Sequence, residues 1–104
     1  MKFPPRLATV EDFLDEYRAC AGSKPYIRQS VKNRKFLEQS GIQLQEVNEI
    51  LLRKLKSEHC YGGPEDDDVP TRLPGAVFKF NYPWKEYIIY IKLKVPIEER
   101  IRLR

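Results

Sequence analysis

Cysteine, histidine and long apolar runs are scarce in this chain of 104 residues, and their scarcity argues against several classes of protein. The two cysteines, Cys20 and Cys60, belong to neither a C-x-x-C pair nor a His/Cys cluster, so we expect no zinc site. No stretch approaches the roughly 18 apolar residues of a membrane span, and residues 1–8 lack the apolar centre of a signal peptide. We therefore expect a cytoplasmic protein with free thiols and no membrane association.

Charge is unevenly distributed along the chain, although the formal net charge is only +4. Residues 56–75 hold two Lys/Arg and five Asp/Glu, whereas residues 76–104 hold seven Lys/Arg and three Asp/Glu. A basic last third suits nucleic acid or an acidic protein partner. Lysines that solvate a strand face and protect a sheet edge give the same pattern, and charge alone favours this plainer explanation.

The first half of the chain has the spacing of helices. Apolar residues recur at i, i+3, i+4 and i+7 after Thr9, a suitable N-cap, and this helix is expected to end near Gly22. Ser30 as a cap and Gly41 as a stop bound a second helix, and an apolar stripe marks a third. We therefore predict helices over about residues 10–20, 31–39 and 44–56.

The second half has strand signals that follow an acidic, Gly/Pro-rich segment. Residues 57–75 are predicted to form a loop, and a turn is predicted around residues 81–86. Helices followed by antiparallel strands indicate one α+β domain, with three N-terminal helices on a small three-stranded sheet. We predict strands over 76–80, 87–95 and 100–104, and we divide the domain into a lead-in, a helical part, the loop and the sheet: 1–8, 9–56, 57–75 and 76–104.

Alternation along the longest predicted strand brings a phenol and two ammonium groups to one face. Tyr90, Lys92 and Lys94 point to one side, and Ile91 and Leu93 point to the other. A cation beside a scissile phosphate stabilises charge on its non-bridging oxygens, and a tyrosine can hold the phosphate or relay a proton. Plain strand-surface residues are the alternative that the pattern leaves open.

Further basic and aromatic residues are candidates for a supporting role. Lys79 and Lys94 suit flanking phosphates as point charges, with solvated side chains as the alternative. Tyr61 either stacks on a base or packs under the loop. Arginine gives bidentate phosphate contacts, so three arginines are candidates that would extend the basic surface: Arg34, Arg102 and Arg104. The alternatives are a solvated helix face for Arg34 and a frayed terminus for the other two.

The single histidine and the acidic run are candidates that we favour less. His59 invites a general-base role because imidazole ordinarily titrates near neutral pH, but we favour a structural role. The four consecutive acids Glu65–Asp68 cannot all converge on one ion, and EF-hand spacing is lacking. We therefore expect no metal, and we expect the acids to pair with basic residues, cap a turn or limit the approach of RNA.

A series of short motifs, taken in order, resembles one family. The motifs are Lys32-Asn33, Ser40-Gly41-Ile42, Ile50-Leu51-Leu52, Tyr61-Gly62-Gly63-Pro64-Glu65-Asp66-Asp67, Pro74-Gly75-Ala76-Val77-Phe78-Lys79-Phe80 and Tyr90-Ile91-Lys92-Leu93-Lys94. Over roughly residues 10–95 the chain resembles the MqsR-like (motility quorum-sensing regulator) toxins of bacterial type II toxin–antitoxin systems, within the RelE-like group. The order and spacing of the motifs carry the resemblance.

This resemblance implies a RelE-like α+β fold and a small endoribonuclease (an mRNA interferase) that cleaves single-stranded mRNA without a metal or other cofactor. It also implies a ribose 2′-hydroxyl nucleophile, products with a 2′,3′-cyclic phosphate and a 5′-hydroxyl, and a cognate antitoxin that neutralises the enzyme. The family's active-site tyrosine lies two positions before a strand lysine, which matches Tyr90 and Lys92. A polar residue on the preceding strand falls near Lys79.

Two departures from the family pattern bear on activity. Gly62 follows Tyr61 where the best-known members carry a lysine, and the family's ending, a strand with Ser-Phe before His or Lys, is not matched up to Arg104. Three explanations stay open: Arg102 and Arg104 supply the cation, the chain is truncated, or activity is lost. The alternative function is a non-catalytic RNA- or protein-binding module of the same fold, and a metal nuclease that uses the acidic loop is a third.

Overall fold

The computed structural model describes residues 5–22, 30–66 and 75–96 of the chain. Short 3-10 turns at Pro5–Leu7 and Ser57–His59 flank the helical part, and the third helix continues as the π-helical turn Ile50–Lys54. The other elements are the helices α1 (Val10–Ala21), α2 (Val31–Ser40) and α3 (Leu44–Glu49), followed by the strands β1 (Cys60–Asp66), β2 (Gly75–Trp84) and β3 (Tyr87–Pro96).

The boundaries of the first two helices follow from local chemistry. The side-chain oxygen of Thr9 accepts the N–H of Asp12 at 3.2 Å, and that of Ser30 accepts the N–H of Asn33 at 3.1 Å. Both predicted N-caps are therefore confirmed. The helices end at Gly22 and Gly41, whose φ angles are 67° and 76°, in the region that favours glycine.

The third helix differs from its prediction because it does not stay α-helical to its end. The α-helical hydrogen bonding gives way at Ile50 to a π-helical turn, which the bond from the Leu55 N–H to the Ile50 carbonyl closes at 2.8 Å. The guanidinium of Arg18 donates to the carbonyls of Leu51 at 3.1 Å and Leu55 at 2.6 Å. A side chain from α1 therefore satisfies carbonyls at the end of this helix, where intrahelical partners run out.

The three strands form one antiparallel sheet in the order β1-β2-β3. A two-residue turn, Lys85-Glu86, joins β2 to β3, with Trp84 opposite Tyr87. The predicted α+β class, with three helices and a small three-stranded antiparallel sheet, is confirmed. The narrower RelE-like assignment stays a prediction.

The predicted loop over 57–75 and the predicted turn over 81–86 were both too long. Residues 60–66 of the predicted loop form β1, a Gly/Pro-containing edge strand with two register shifts, a place where such residues are tolerated. The predicted turn is shorter because β2 continues through Pro83 to Trp84. Pro83 is compatible with a strand there since β1 pairs with β2 only as far as Phe80, so Pro83 needs no donor toward β1. The predicted strand over 100–104 lies outside the described residues.

The core lies between the helices and the inner face of the sheet. The rings of Phe13 on α1 and Phe78 on β2 meet with their centroids 4.4 Å apart, and Phe80 is fully buried. Tyr17 packs against this cluster, and burial raises the pKa of its phenol. The buried cluster consists of Leu7, Phe13, Leu14, Leu51, Leu55, Ala76, Phe78, Phe80, Leu93 and Val95.

None of the helices in the described part of the chain combines the length and apolarity that crossing a membrane requires.

Gly63 on β1 should be the glycine least tolerant of a side chain, and stability measurements can test this. Its φ is 117°, and an added Cβ would lie 2.6 Å from the Val77 carbonyl oxygen and 2.9 Å from the Phe78 Cα. We expect Gly63→Ala to lower the free energy of unfolding by on the order of 3 kcal/mol, since backbone strain and overpacking add. Gly41→Ala is the control, because Gly41 also has a positive φ but faces open space, and it should cost about 1 kcal/mol. Equal losses in urea unfolding would contradict the steric account.

Arg18 should contribute to stability through its two backbone hydrogen bonds rather than through its charge. Arg18→Ala leaves the Leu51 and Leu55 carbonyls without this donor, and we expect a loss of about 2–3 kcal/mol. Arg53→Ala is the matched control, because Arg53 is 74% exposed and forms only a surface pair with Glu49, so its loss should cost under about 0.5 kcal/mol. The prediction is wrong if the two variants unfold at the same urea concentration.

Candidate functional site on the outer sheet face

The sheet face opposite the core carries polar side chains from both β2 and β3. Along β3, Leu93 is buried while Lys92 is exposed and Tyr90 is 74% exposed, which agrees with the predicted division of this strand. The antiparallel register places Asn81 opposite Tyr90 and Lys79 opposite Lys92. We call this group the outer face, and it consists of Lys79, Asn81, Tyr90, Lys92 and Lys94.

Lys79 is held in an ion pair across the first two strands. Its Nζ lies 3.1 Å from Oε1 of Glu65 on β1, and the register places Lys79 opposite Gly62. Glu65 therefore pairs with a basic residue, one of the roles predicted for the acidic run. The carboxylate offsets part of the charge of Lys79, so the ammonium group of Lys92, which is exposed, is the more accessible cation of the two.

The two lysines directly opposite each other are an unfavourable arrangement for a sheet. Cβ atoms of such cross-strand partners lie about 5 Å apart, and like charges at that position destabilise the pair. Glu65 relieves part of the repulsion through Lys79. A phosphate bound over Lys79 and Lys92 would relieve the rest, so the geometry suits an anion.

Lys94 is positioned by the strand beside it. It lies opposite Val77, and a Cβ added to Gly75 would fall 2.7 Å from the Cε of Lys94. The aliphatic stem of Lys94 therefore runs across Gly75, which leaves room for it by having no side chain. Lys94 is half-buried and lies on the same side of β3 as Lys92.

The other predicted binding residues are placed less closely together. Tyr61 is 56% exposed on β1, where the register shifts between Cys60 and Gly62. Arg34 is exposed on the helix α2, so it does not belong to the outer face of the sheet. The predicted contributions of Arg102 and Arg104 lie outside the described residues.

Asn81 is the residue of the outer face that sequence reasoning missed. Its Oδ1 is buried and has no hydrogen-bond partner in the described structure, and the residue lies opposite Tyr90. A buried acceptor without a partner is uncommon, and because this oxygen is closed off from solvent, a ligand would reach it only if the side chain turned outward. The alternation that places residue 79 on this face also places residue 81 there. We did not assign residue 81 to the strand because the predicted turn began at that position.

His59 lies away from the outer face. Its Nδ1 accepts the backbone N–H of Lys56 at 2.9 Å, and its ring centroid is 4.8 Å from that of Tyr82, whose neighbours Asn81 and Pro83 point to the opposite side of β2. These contacts are compatible with the structural role that we favoured. Within residues 5–22, 30–66 and 75–96, no group of three His, Cys, Asp or Glu side chains is placed to hold a metal ion.

Comparisons with known proteins add no relative: no family profile, no curated protein and no solved structure matches the chain. The resemblance to MqsR-like toxins therefore stays a prediction that rests on the order of its motifs.

Lys92 should reduce the stability of the protein, because its charge repels that of Lys79. Because Lys92→Gln removes the like-charge pair with Lys79, we expect it to raise the free energy of unfolding by about 0.2–1 kcal/mol at low salt. The gain should shrink as added salt screens the repulsion. Urea unfolding at several salt concentrations measures this, with Lys35→Gln, an exposed lysine in the middle of α2, as the charge-matched control. A loss of stability in Lys92→Gln at every salt concentration would contradict the cross-strand repulsion.

Proposed function

We propose that the outer face binds the backbone of single-stranded mRNA and that the protein is the toxin of a toxin–antitoxin pair, a cytoplasmic endoribonuclease neutralised by a cognate antitoxin. The observation that carries the proposal is the cross-strand grouping of an exposed phenol with two ammonium groups, Tyr90 with Lys92 and Lys79. The motif order that resembles MqsR-like toxins supports the same function.

The proposed reaction is an internal transfer at phosphorus. The ribose 2′-hydroxyl loses its proton, and its oxygen attacks the adjacent phosphorus. The bond to the 5′-oxygen then breaks, and that oxygen takes up a proton, which leaves a 2′,3′-cyclic phosphate and a 5′-hydroxyl. No metal or other cofactor takes part in this scheme.

The residues of the outer face have separable roles in this scheme. The ammonium of Lys92 stabilises charge that develops on the non-bridging oxygens, and Lys79 supplies a second cation when Glu65 yields to the phosphate. The phenol of Tyr90 holds the phosphate or relays the proton.

A non-catalytic binding module of the same fold is the second candidate. The Lys79–Glu65 ion pair favours it, because an ammonium already paired at 3.1 Å supplies less charge to a transition state, whereas the exposed Lys92 can still hold a backbone phosphate. In this alternative the outer face binds RNA or an acidic protein surface and cuts nothing.

The proposed toxin activity should depend on Tyr90 and Lys92. We expect the parent chain to arrest growth when it is produced without its antitoxin, and we expect Tyr90→Phe and Lys92→Ala to relieve the arrest. In a cleavage assay with purified protein, Lys92→Ala should lose about a hundredfold in rate because a charge-stabilising group is removed. Lys32→Ala, an equal change of charge on α2, should behave like the parent.

The cleavage assay also separates the candidate functions. Cleavage that persists in EDTA and yields cyclic phosphate ends supports the proposal, whereas loss of cleavage in EDTA indicates a metal nuclease. RNA that stays intact although the parent binds it indicates the binding module. If the double variant Tyr90→Phe/Lys92→Ala arrests growth as strongly as the parent, the site is assigned to the wrong residues.

A further inference from the structure

An open depression of about 400 Å³ lies beside the end of β2 that β1 leaves uncovered. It exists because β1 pairs with β2 only as far as Cys60 opposite Phe80, and the preceding chain turns away in the 3-10 turn Ser57–His59. We call it the basic depression, after the side chains that surround it: Arg53, Lys54, Lys56, His59 and Tyr82.

The positive charge of the basic depression comes from the end of a helix and the residue just beyond it. Arg53 and Lys54 occupy the last positions of the π-helical turn, where a helix end favours cations. Arg53 is already paired with Glu49 at 3.2 Å, whereas Lys54 and Lys56 are exposed. These two lysines are therefore the cations best placed to meet an anion.

His59 contributes a donor whose direction is fixed. Its Nδ1 accepts the Lys56 backbone N–H at 2.9 Å, so the ring proton of the neutral imidazole is on Nε2. Contact with the Tyr82 ring at 4.8 Å holds the imidazole in place, and its side chain is 14% exposed. Because Nδ1 is occupied as an acceptor, Nε2 is the ring nitrogen that is left to donate to an anion.

One carboxylate opposes an anion in the basic depression. Glu58 belongs to its lining, and its Oε2 lies 3.9 Å from the Nε2 of His59, with the Glu58 side chain 76% exposed. An exposed carboxylate can turn away into water when a ligand arrives. The negative charge of Glu58 should weaken anion binding, so removal of that charge should strengthen it.

The basic depression lies close to the outer face along β2. Pro83 belongs to its lining and lies two strand positions from Asn81, a separation of about 7 Å. Both residues point to the same side of β2 by alternation, and Asn81 lies opposite Tyr90. Tyr82, which points to the other side of β2, also lines the depression. The depression therefore lies around the uncovered edge of β2 from the outer face, and an RNA strand that crosses this edge can place phosphates on both.

From these contacts we infer that the basic depression is a second RNA subsite, which holds another phosphate of the RNA strand that is bound on the outer face. Lys54 and Lys56 supply the charge, the Nε2 of His59 donates to a phosphate oxygen, and the Tyr82 and His59 rings form the floor. The inference rests on the proposed binding of RNA and adds to it a subsite that determines affinity but takes no part in the chemical step.

Binding of a fluorescein-labelled single-stranded RNA oligonucleotide tests the subsite. We expect Lys54→Ala and Lys56→Ala each to weaken binding about fivefold, and to reduce the slope of log affinity against log salt by about 0.7 for each lost contact. Glu58→Gln should strengthen binding, because it removes the opposing charge. Lys32→Ala is the charge-matched control, and it should change affinity less than either lysine variant.

Nuclear magnetic resonance of the imidazole gives a readout that does not depend on mutation. His59 is the only histidine in the chain, so its ring signals are unambiguous. They should move when the RNA is added to the parent, and the change should be smaller in the Lys54→Ala/Lys56→Ala double variant. Ring signals that do not move, together with unchanged affinity and salt slope, would overturn the inference.

Different experimental results would contradict the proposed subsite and the proposed cleavage. If the parent cuts RNA and the lysine variants match it in affinity, the subsite is wrong and the cleavage stands. If the parent binds RNA without cutting it and the lysine variants bind more weakly, the subsite stands and the cleavage is wrong. A cleavage rate at saturating RNA that falls in Lys54→Ala as it does in Lys92→Ala would contradict the separation of binding from chemistry. A parent that binds no RNA overturns both.

Discussion

The register between β2 and β3 is the constraint on which the rest of this structure depends. It aligns Phe78 with Leu93 and Phe80 with Ile91 toward the helices, and it aligns Lys79 with Lys92 on the opposite side. A slip of one residue would turn each of these side chains to the wrong face. The burial of the aromatic row therefore fixes the positions of the cationic groups, although those groups contribute nothing to the core.

The helices hold this hairpin in place through a small number of contacts of different kinds. Phe13 packs on Phe78 with ring centroids 4.4 Å apart, which joins α1 to the middle of the sheet. Arg18 then ties the same helix to the carbonyls of Leu51 and Leu55. Because that hydrogen bonding secures the end of the π-helical turn, it also fixes the stretch from which Lys54 and Lys56 project into the basic depression.

Positive charge is presented on the outer face and in the basic depression, and in each place an acidic side chain lies close by. Glu65 pairs with Lys79 on the outer face, and Glu58 lies beside His59 in the basic depression. Such pairs limit like-charge repulsion in the free protein and can open when a polyanion arrives. The single-stranded RNA that we propose as the ligand is long enough to contact both places, whereas a single small anion would contact only one.

The sequence by itself determined the elements that rest on local rules: the caps at Thr9 and Ser30, the stops at Gly22 and Gly41, and the alternation that exposes Tyr90 and Lys92. Tertiary structure decided which residues became neighbours across strands, because pairing partners are distant in sequence and β1 gains its strand character from lying along β2. The position of Asn81 follows from the pairing of β2 with β3, the Glu65–Lys79 pair from the pairing of β1 with β2, and the basic depression from where the pairing of β1 with β2 stops. That endpoint is set by long-range packing, which no local pattern records.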